Sequence, residues 1–233
     1  MIIMTRRGFL FRVSGAVGAM TLTGGGDVFS QAARTRSKGV DVSPAEDLMR
    51  EHGLLRRILL VYRQWIGRLA MNRIADIETL ADSQKIVRSF VEDYHEMLEE
   101  DYVFPMLKKA GKLTGTVDEL LKQHQAGRKL TDISTRLSNA ESLTVSENRA
   151  RLSGSLLDFI LMYEPHAARE DTVVFPAFHQ ILSEKEYDDL GDAFEKKEQE
   201  LFGQNGFEKM VDRVAAIEKK LEIYDLSIFT PRG

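Results

Sequence analysis

His95-Glu96-Met97-Leu98-Glu99-Glu100-Asp101-Tyr102-Val103-Phe104-Pro105 and His166-Ala167-Ala168-Arg169-Glu170-Asp171-Thr172-Val173-Val174-Phe175-Pro176 share one pattern, His-x-x-x-Glu-acid-x-x-Val-Phe-Pro. A helix turns once in about 3.6 residues, so positions i and i+4 share a face. Each copy therefore stacks an imidazole above a carboxylate on one side of a helix. Such a pair is a metal clip, and two copies suggest a two-metal site.

The repeat extends upstream. His52 lies in Glu51-His52 followed by Arg56-Arg57, and His124 in Gln123-His124 followed by Arg128-Lys129. Each unit thus reads as a helix with one inward histidine, then a helix with His-x-x-x-Glu and Val-Phe-Pro. Apolar spacing places helices over 44–71, 76–104, 117–138 and 146–174. His52 falls on the stripe Leu48, Leu55, Leu59, Tyr62, Ile66, Leu69, and Tyr102 is placed on the inward face of the second helix. Pro105 predicts a kink or a helix end, Pro165 a bend, and Gly111 with Gly115 a turn. Leu130 and Leu137 mark the buried side of the third helix.

Helices joined by short connections become antiparallel neighbours. The fold expected is therefore all-α, an up-down antiparallel four-helix bundle over 43–182. Residues 183–233 add one or two C-terminal helices that pack across the bundle or join two copies as a homo-oligomer. Ser183-x-x-Glu186 is a capping box opening the first of them. Counting about 1.5 Å per residue from the helix ends puts all four histidines about 11–14 Å from one end of the bundle.

The composition narrows the chemistry. The chain has 233 residues, a net charge of −4 and five histidines, and no cysteine. Thiolate nucleophiles, thiolate zinc sites and iron–sulfur clusters are excluded. Acids and bases are mixed along the chain, which argues against nucleic acid as a partner. Four imidazoles and two carboxylates turned inward would be costly unpaired, and a metal supplies the partner. His and carboxylate ligands suit iron, manganese or zinc. The fifth histidine, His179, stands outside the set. Glu96, Glu100 and Asp101 read as a solvated face or as support for the ligating histidines.

The set resembles hemerythrin and the hemerythrin-like His-His-Glu cation-binding domains over about residues 45–180. The resemblance rests on Glu51-His52, Lys122-Gln123-His124 and both His-x-x-x-Glu segments with their Phe-Pro. It implies His52, His95, Glu99, His124, His166 and Glu170 as ligands of two non-haem irons, bridged by oxo or carboxylate groups. O₂ or a related small ligand would be the partner. The chain departs from the oxygen carriers in two places. They have a second histidine four residues after His124, where this chain has Arg128. They also place an Asp where this chain has Asp171; Glu170 is preferred because it mirrors Glu99. The lost histidine opens an alternative, an enzyme acting on peroxide, NO or ferrous iron. A structural cation-binding module is a third use.

Thr5-Arg6-Arg7-Gly8-Phe9-Leu10 and the mildly apolar run after it resemble a bacterial twin-arginine export signal. This assigns 1–32 as a signal peptide read by the twin-arginine machinery, 33–42 as a linker, and the periplasm as the destination.

Overall fold

The computed structural model describes residues 42–231, which are helical with no strand among them. The segment assigned as export signal, and all of the linker but Val42, lie outside the described residues. No described helix is long and apolar enough to cross a membrane.

Helix α1 is Pro44–Ala70. Ser43 caps it, its hydroxyl accepting from the Glu46 amide, while Pro44 takes the first turn and Glu46 and Asp47 face the positive end of the helix dipole. Helix α2 covers residues 77–109 and is not uniformly α. It passes from Ile77–Ile86 into a π segment, Val87–His95, then Glu96–Leu98, a second π segment, Glu99–Val103, and a last α piece, Phe104–Lys109. Helix α3 is Thr114–Leu137. Helix α4 covers 146–180, with α-helix over Ser146–Arg169, a π segment over Glu170–Val174 and α-helix again over Phe175–Gln180.

The π segments change what the prolines do. Pro105 would meet the Asp101 carbonyl in a regular α-helix. The wider π turn just upstream carries that mismatch, so the helix runs on to Lys109 instead of ending at Phe104. Pro176 follows its own π segment in the same way, and α4 reaches Gln180. The α2–α3 turn uses left-handed backbone at Gly111 and Leu113, and Gly115 falls inside the first turn of α3.

Helix α1 packs on α4, α4 on α3, and α2 touches both α1 and α3. Between them lie Trp65, Tyr62, Phe90, Phe159 and Leu156, all buried. At about 1.5–3 kcal/mol for each large side chain, this core outweighs any surface ion pair. Trp65 donates its indole N–H to Thr79 Oγ1 at 3.1 Å. Tyr102, expected inward, is 37% exposed and sets its ring edge against Phe194, because the π turn shifts its register. On α3 the inward positions beyond His124 are Gly127, Thr131 and Ser134, while Leu130 and Leu137 are only partly buried. Small residues there admit Tyr163 from α4.

Helices α5 (Glu184–Phe202) and α6 (Gly206–Lys220) pack on α1, and α6 also reaches α2. The capping box at Ser183 and Glu186 is formed. Phe202 and Phe207 meet Phe90, and Glu218 takes both arms of Arg57 at 3.0 and 2.5 Å.

A β-carbon added at Gly127 would stand 2.1 Å from the Tyr163 hydroxyl. Gly127→Ala should therefore destabilise the fold by about 1–2 kcal/mol, the overpacking outweighing the better helix propensity of alanine. Thermal unfolding followed by circular dichroism measures this, and an unchanged or higher Tm would contradict it.

Candidate metal centre

Four helices each bring one histidine to the same level: His52 from α1, His95 from α2, His124 from α3 and His166 from α4. None is more than 3% exposed, and Glu99 and Glu170 are fully buried. The imidazoles meet in pairs. The rings of His52 and His95 are 4.7 Å apart, and those of His124 and His166 are 5.0 Å apart.

The two carboxylates sit between the pairs. Glu99 approaches His95 Nε2 at 3.6 Å and His124 Nε2 at 3.4 Å. Glu170 approaches His166 Nε2 at 3.0 Å and His52 Nε2 at 3.4 Å. Each carboxylate thus reaches one histidine of each pair. Donor atoms of Glu99, His124, His166 and Glu170 lie within 4.8 Å of one another, as do those of His52, His95 and Glu99.

The other ring nitrogen of every histidine is held from behind. His52 Nδ1 meets Asp171 Oδ1 at 2.7 Å, His95 Nδ1 meets Glu51 Oε2 at 2.6 Å, His124 Nδ1 meets Glu100 Oε1 at 2.8 Å and His166 Nδ1 meets Gln123 Oε1 at 2.8 Å. Each partner atom is an acceptor, so each Nδ1 carries the hydrogen, and a neutral ring then turns a bare Nε2 lone pair inward.

That interior does not balance by itself. The Nε2 atoms of His52 and His95 are 3.0 Å apart, and two lone pairs cannot face each other at that distance without a proton or a cation between them. All four oxygens of Glu99 and Glu170 lack a hydrogen-bond partner, as does His124 Nε2; the imidazoles beside them do not have hydrogen-bond geometry. Buried polar atoms are otherwise almost always paired. Burial opposes ionisation of Glu170, but His166 and His52 beside it hold its carboxyl below the usual range. Burial, with Glu170 opposite, pushes Glu99 up. Burial, reinforced by His52, holds His95 well below its usual value, and burial brings His124 down to about 4. For His52 burial pulls the other way, yet Asp171 and Glu170 raise it to about 9. Without a metal, the pocket is a set of donors competing for too few protons. The donor set suits a cation with imidazole and carboxylate ligands.

The hemerythrin HHE cation-binding domain model matches residues 43–178. The chain belongs to this family. Among its relatives, uncharacterized protein Rv1995 of Mycobacterium tuberculosis and uncharacterized protein Mb2018 of Mycobacterium bovis are each 49% identical over 197 residues. Those alignments cover 84% of this chain and 77% of either relative. No solved structure matches it.

Around this HHE centre the duplication is more complete than the two clips. Arg56, four residues after His52, pairs with Asp171, and Arg128, four after His124, pairs with Glu100 at 2.8 Å. Arg128 is thus the counterpart of Arg56, holding the carboxylate that holds a histidine. Asp171 is turned to His52 Nδ1, away from the inner donors. Phe175 stacks over His52 and Phe104 over His124, each with ring centres 5.5 Å apart, so both Val-Phe-Pro segments cover the site. His179 is exposed and stacks on Tyr187.

Three roles were not legible from the clips alone. Glu96 is buried, where a solvated face was one reading; it accepts from the Tyr163 hydroxyl at 2.5 Å and pairs with Arg128 at 2.8 Å. Glu51 and Gln123 hold the histidine of the following helix; Glu100 holds that of the next unit, which was one of the two readings its position allowed. Repeated residues flanking each histidine and glutamate carried that signal. Glu92, buried and accepting from Thr131 at 2.5 Å, has no such marker.

Glu99→Leu should make the metal-free protein more stable by about 1–3 kcal/mol, since it replaces an unpaired buried polar group by an apolar one, and should lower the metal content. Chemical denaturation of the chelated protein and elemental analysis of the loaded protein read the two effects; a less stable metal-free variant would contradict the assignment.

Proposed function

We propose that the chain is a di-iron hemerythrin-like protein of the periplasm that binds O₂ or a related small ligand, with helices α1–α4 standing as an up-down antiparallel bundle around the metals. The observation that carries the reading is the pairing of two imidazole couples across two buried carboxylates without hydrogen bonds. On this reading His52 and His95 would hold one iron and His124 and His166 the other, with Glu99 and Glu170 within reach of both. When bound, the irons would supply the electrons and vacant coordination positions that reversible O₂ uptake requires.

The protein's own residues do the rest. Asp171, Glu51, Glu100 and Gln123 fix the rings with Nε2 inward, which favours metal over protons. Phe104 and Phe175 keep bulk water off the imidazoles. Glu96, Tyr163 and Arg128 form a fixed polar lattice behind His124, so the donors need little rearrangement on loading.

A second reading is an enzyme acting on peroxide, NO or ferrous iron at the same centre. It is favoured by the absence of a third imidazole on either side, since Arg128 is committed to Glu96 and Glu100. Fewer protein ligands leave more room for a substrate.

Metal analysis and optical spectra before and after O₂ test the proposal. The binding reading expects two irons per chain, a charge-transfer band on oxygenation that bleaches reversibly under vacuum, and loss of both in His95→Ala. Steady turnover of peroxide or NO with irreversible oxidation would favour the enzyme; one zinc per chain would sink both.

Thr5-Arg6-Arg7 supports the periplasmic assignment. Replacing Arg6 and Arg7 by lysine should retain the protein in the cytoplasm, and fractionation after expression in a bacterium with the twin-arginine machinery reads this out.

A further inference from the structure

Tyr163 on α4 carries a hydroxyl that packing alone does not account for. The residue is 1% exposed, and its ring lies 4.3 Å from that of Phe159 and 5.3 Å from the imidazole of His166, centre to centre. A phenylalanine would make the same ring contacts. It is the hydroxyl that needs the gap at Gly127, since a β-carbon there would meet the Tyr163 oxygen before any other atom. Glycine inside a helix costs about 0.5–1 kcal/mol relative to alanine, and α3 carries that cost where the phenol enters.

The hydroxyl has a defined partner. It donates to Glu96 Oε1 at 2.5 Å, while Arg128 stands 2.8 Å from Glu96 Oε2. Donors on both oxygens describe an ionised carboxylate, so the phenol faces a base across a short hydrogen bond. Two other fully buried tyrosines differ. The Tyr62 hydroxyl has no hydrogen-bond partner, so that phenol has nowhere to send a proton. Tyr94 sets its ring against Phe90 and Phe202. Tyr163 joins, as neither of them does, a ring contact with one of the four central imidazoles to a hydrogen bond with a carboxylate.

We propose that Tyr163 is a one-electron donor to the metal centre, a redox-active residue besides the six inner donors. The inference rests on the di-iron reading. Hydrogen peroxide, taking two electrons and two solvent protons to become two waters, would draw one electron from the irons and one from Tyr163. The phenolic O–H bond breaks; its electron passes to the centre by way of His166, and its proton passes along the hydrogen bond to Glu96. The phenol is left as a neutral tyrosyl radical, walled off from water, and the imidazoles are spared that oxidation.

The test is electron paramagnetic resonance of the iron-loaded, full-length protein, air-oxidised and then frozen seconds after hydrogen peroxide is added. A radical signal is expected that narrows when the protein is grown on ring-deuterated tyrosine, because ring protons split a tyrosyl signal. Tyr163→Phe should lose it at unchanged iron content and Tm, and Tyr62→Phe should keep it. If Tyr163→Phe binds less iron, the unsubstituted chain decides by itself. A radical beside the irons relaxes fast and resists microwave saturation, whereas an easily saturated tyrosyl signal would place the radical elsewhere and overturn the proposal. An oxidised centre with no tyrosine-derived signal, or the same signal in Tyr163→Phe, would also overturn it while leaving the di-iron reading intact. A loaded chain that holds no redox-active metal would overturn both.

Discussion

Everything in this fold answers to one constraint: imidazole lone pairs and carboxylate oxygens are gathered where water cannot reach them. An isolated buried charge costs several kcal/mol, and a metal-free core of this kind holds itself together by shifting protons. The opposed directions for Glu99 and Glu170 show that compromise. A cation resolves it, because it satisfies several donors at once. The apolar core must then hold six side chains in place while the site is empty, and the aromatic packing around Tyr62, Phe159 and Phe90 supplies that rigidity.

The second layer explains how precision is reached. Each histidine is pinned by a residue whose position repeats between the halves. Within a hairpin, the residue before the first histidine holds the second. Between hairpins, the acid after each glutamate holds the first histidine of the opposite unit. The halves therefore lock one another, and the π segments that begin at Glu99 and at Glu170 set the register for both. A single hairpin could present its clip but could not orient all of its own rings.

Much of this was legible in the sequence because two periods coincide. The helical period placed His and Glu on one face, and the repeat of about seventy residues placed four such positions at one level. The all-helical fold and the convergence of His52, His95, Glu99, His124, His166 and Glu170 follow from those patterns. What was not legible depended on local departures from α geometry. Regular helix counting puts a kink or a helix end at Pro105 and buries Tyr102; the helix instead runs on past Pro105 and Tyr102 is exposed, because a π turn adds about a residue per turn at Glu99–Val103. Glu96 was hidden for another reason: a buried acid between two helices is recognisable only when its partners, Tyr163 and Arg128, are known to converge. Pattern gives faces; it does not give the neighbours of a residue at the edge of a face.

The duplication also stops short of equality, and the differences lie one hydrogen bond away from the donors. His95 is backed by the acid Glu51, and His166 by the amide Gln123. An acid draws on the Nδ1 proton more strongly when ionised and makes the ring a better donor at Nε2. Glu51 in turn is bound into the Asp47 and Glu198 cluster, while Glu100 on the opposite side is neutralised by Arg128. The inner donors alone describe a symmetric pair of positions. Their supports are alike in one respect, since Arg56 holds the acid behind His52 as Arg128 holds the acid behind His124, and unlike in the other, since His95 rests on an acid and His166 on an amide.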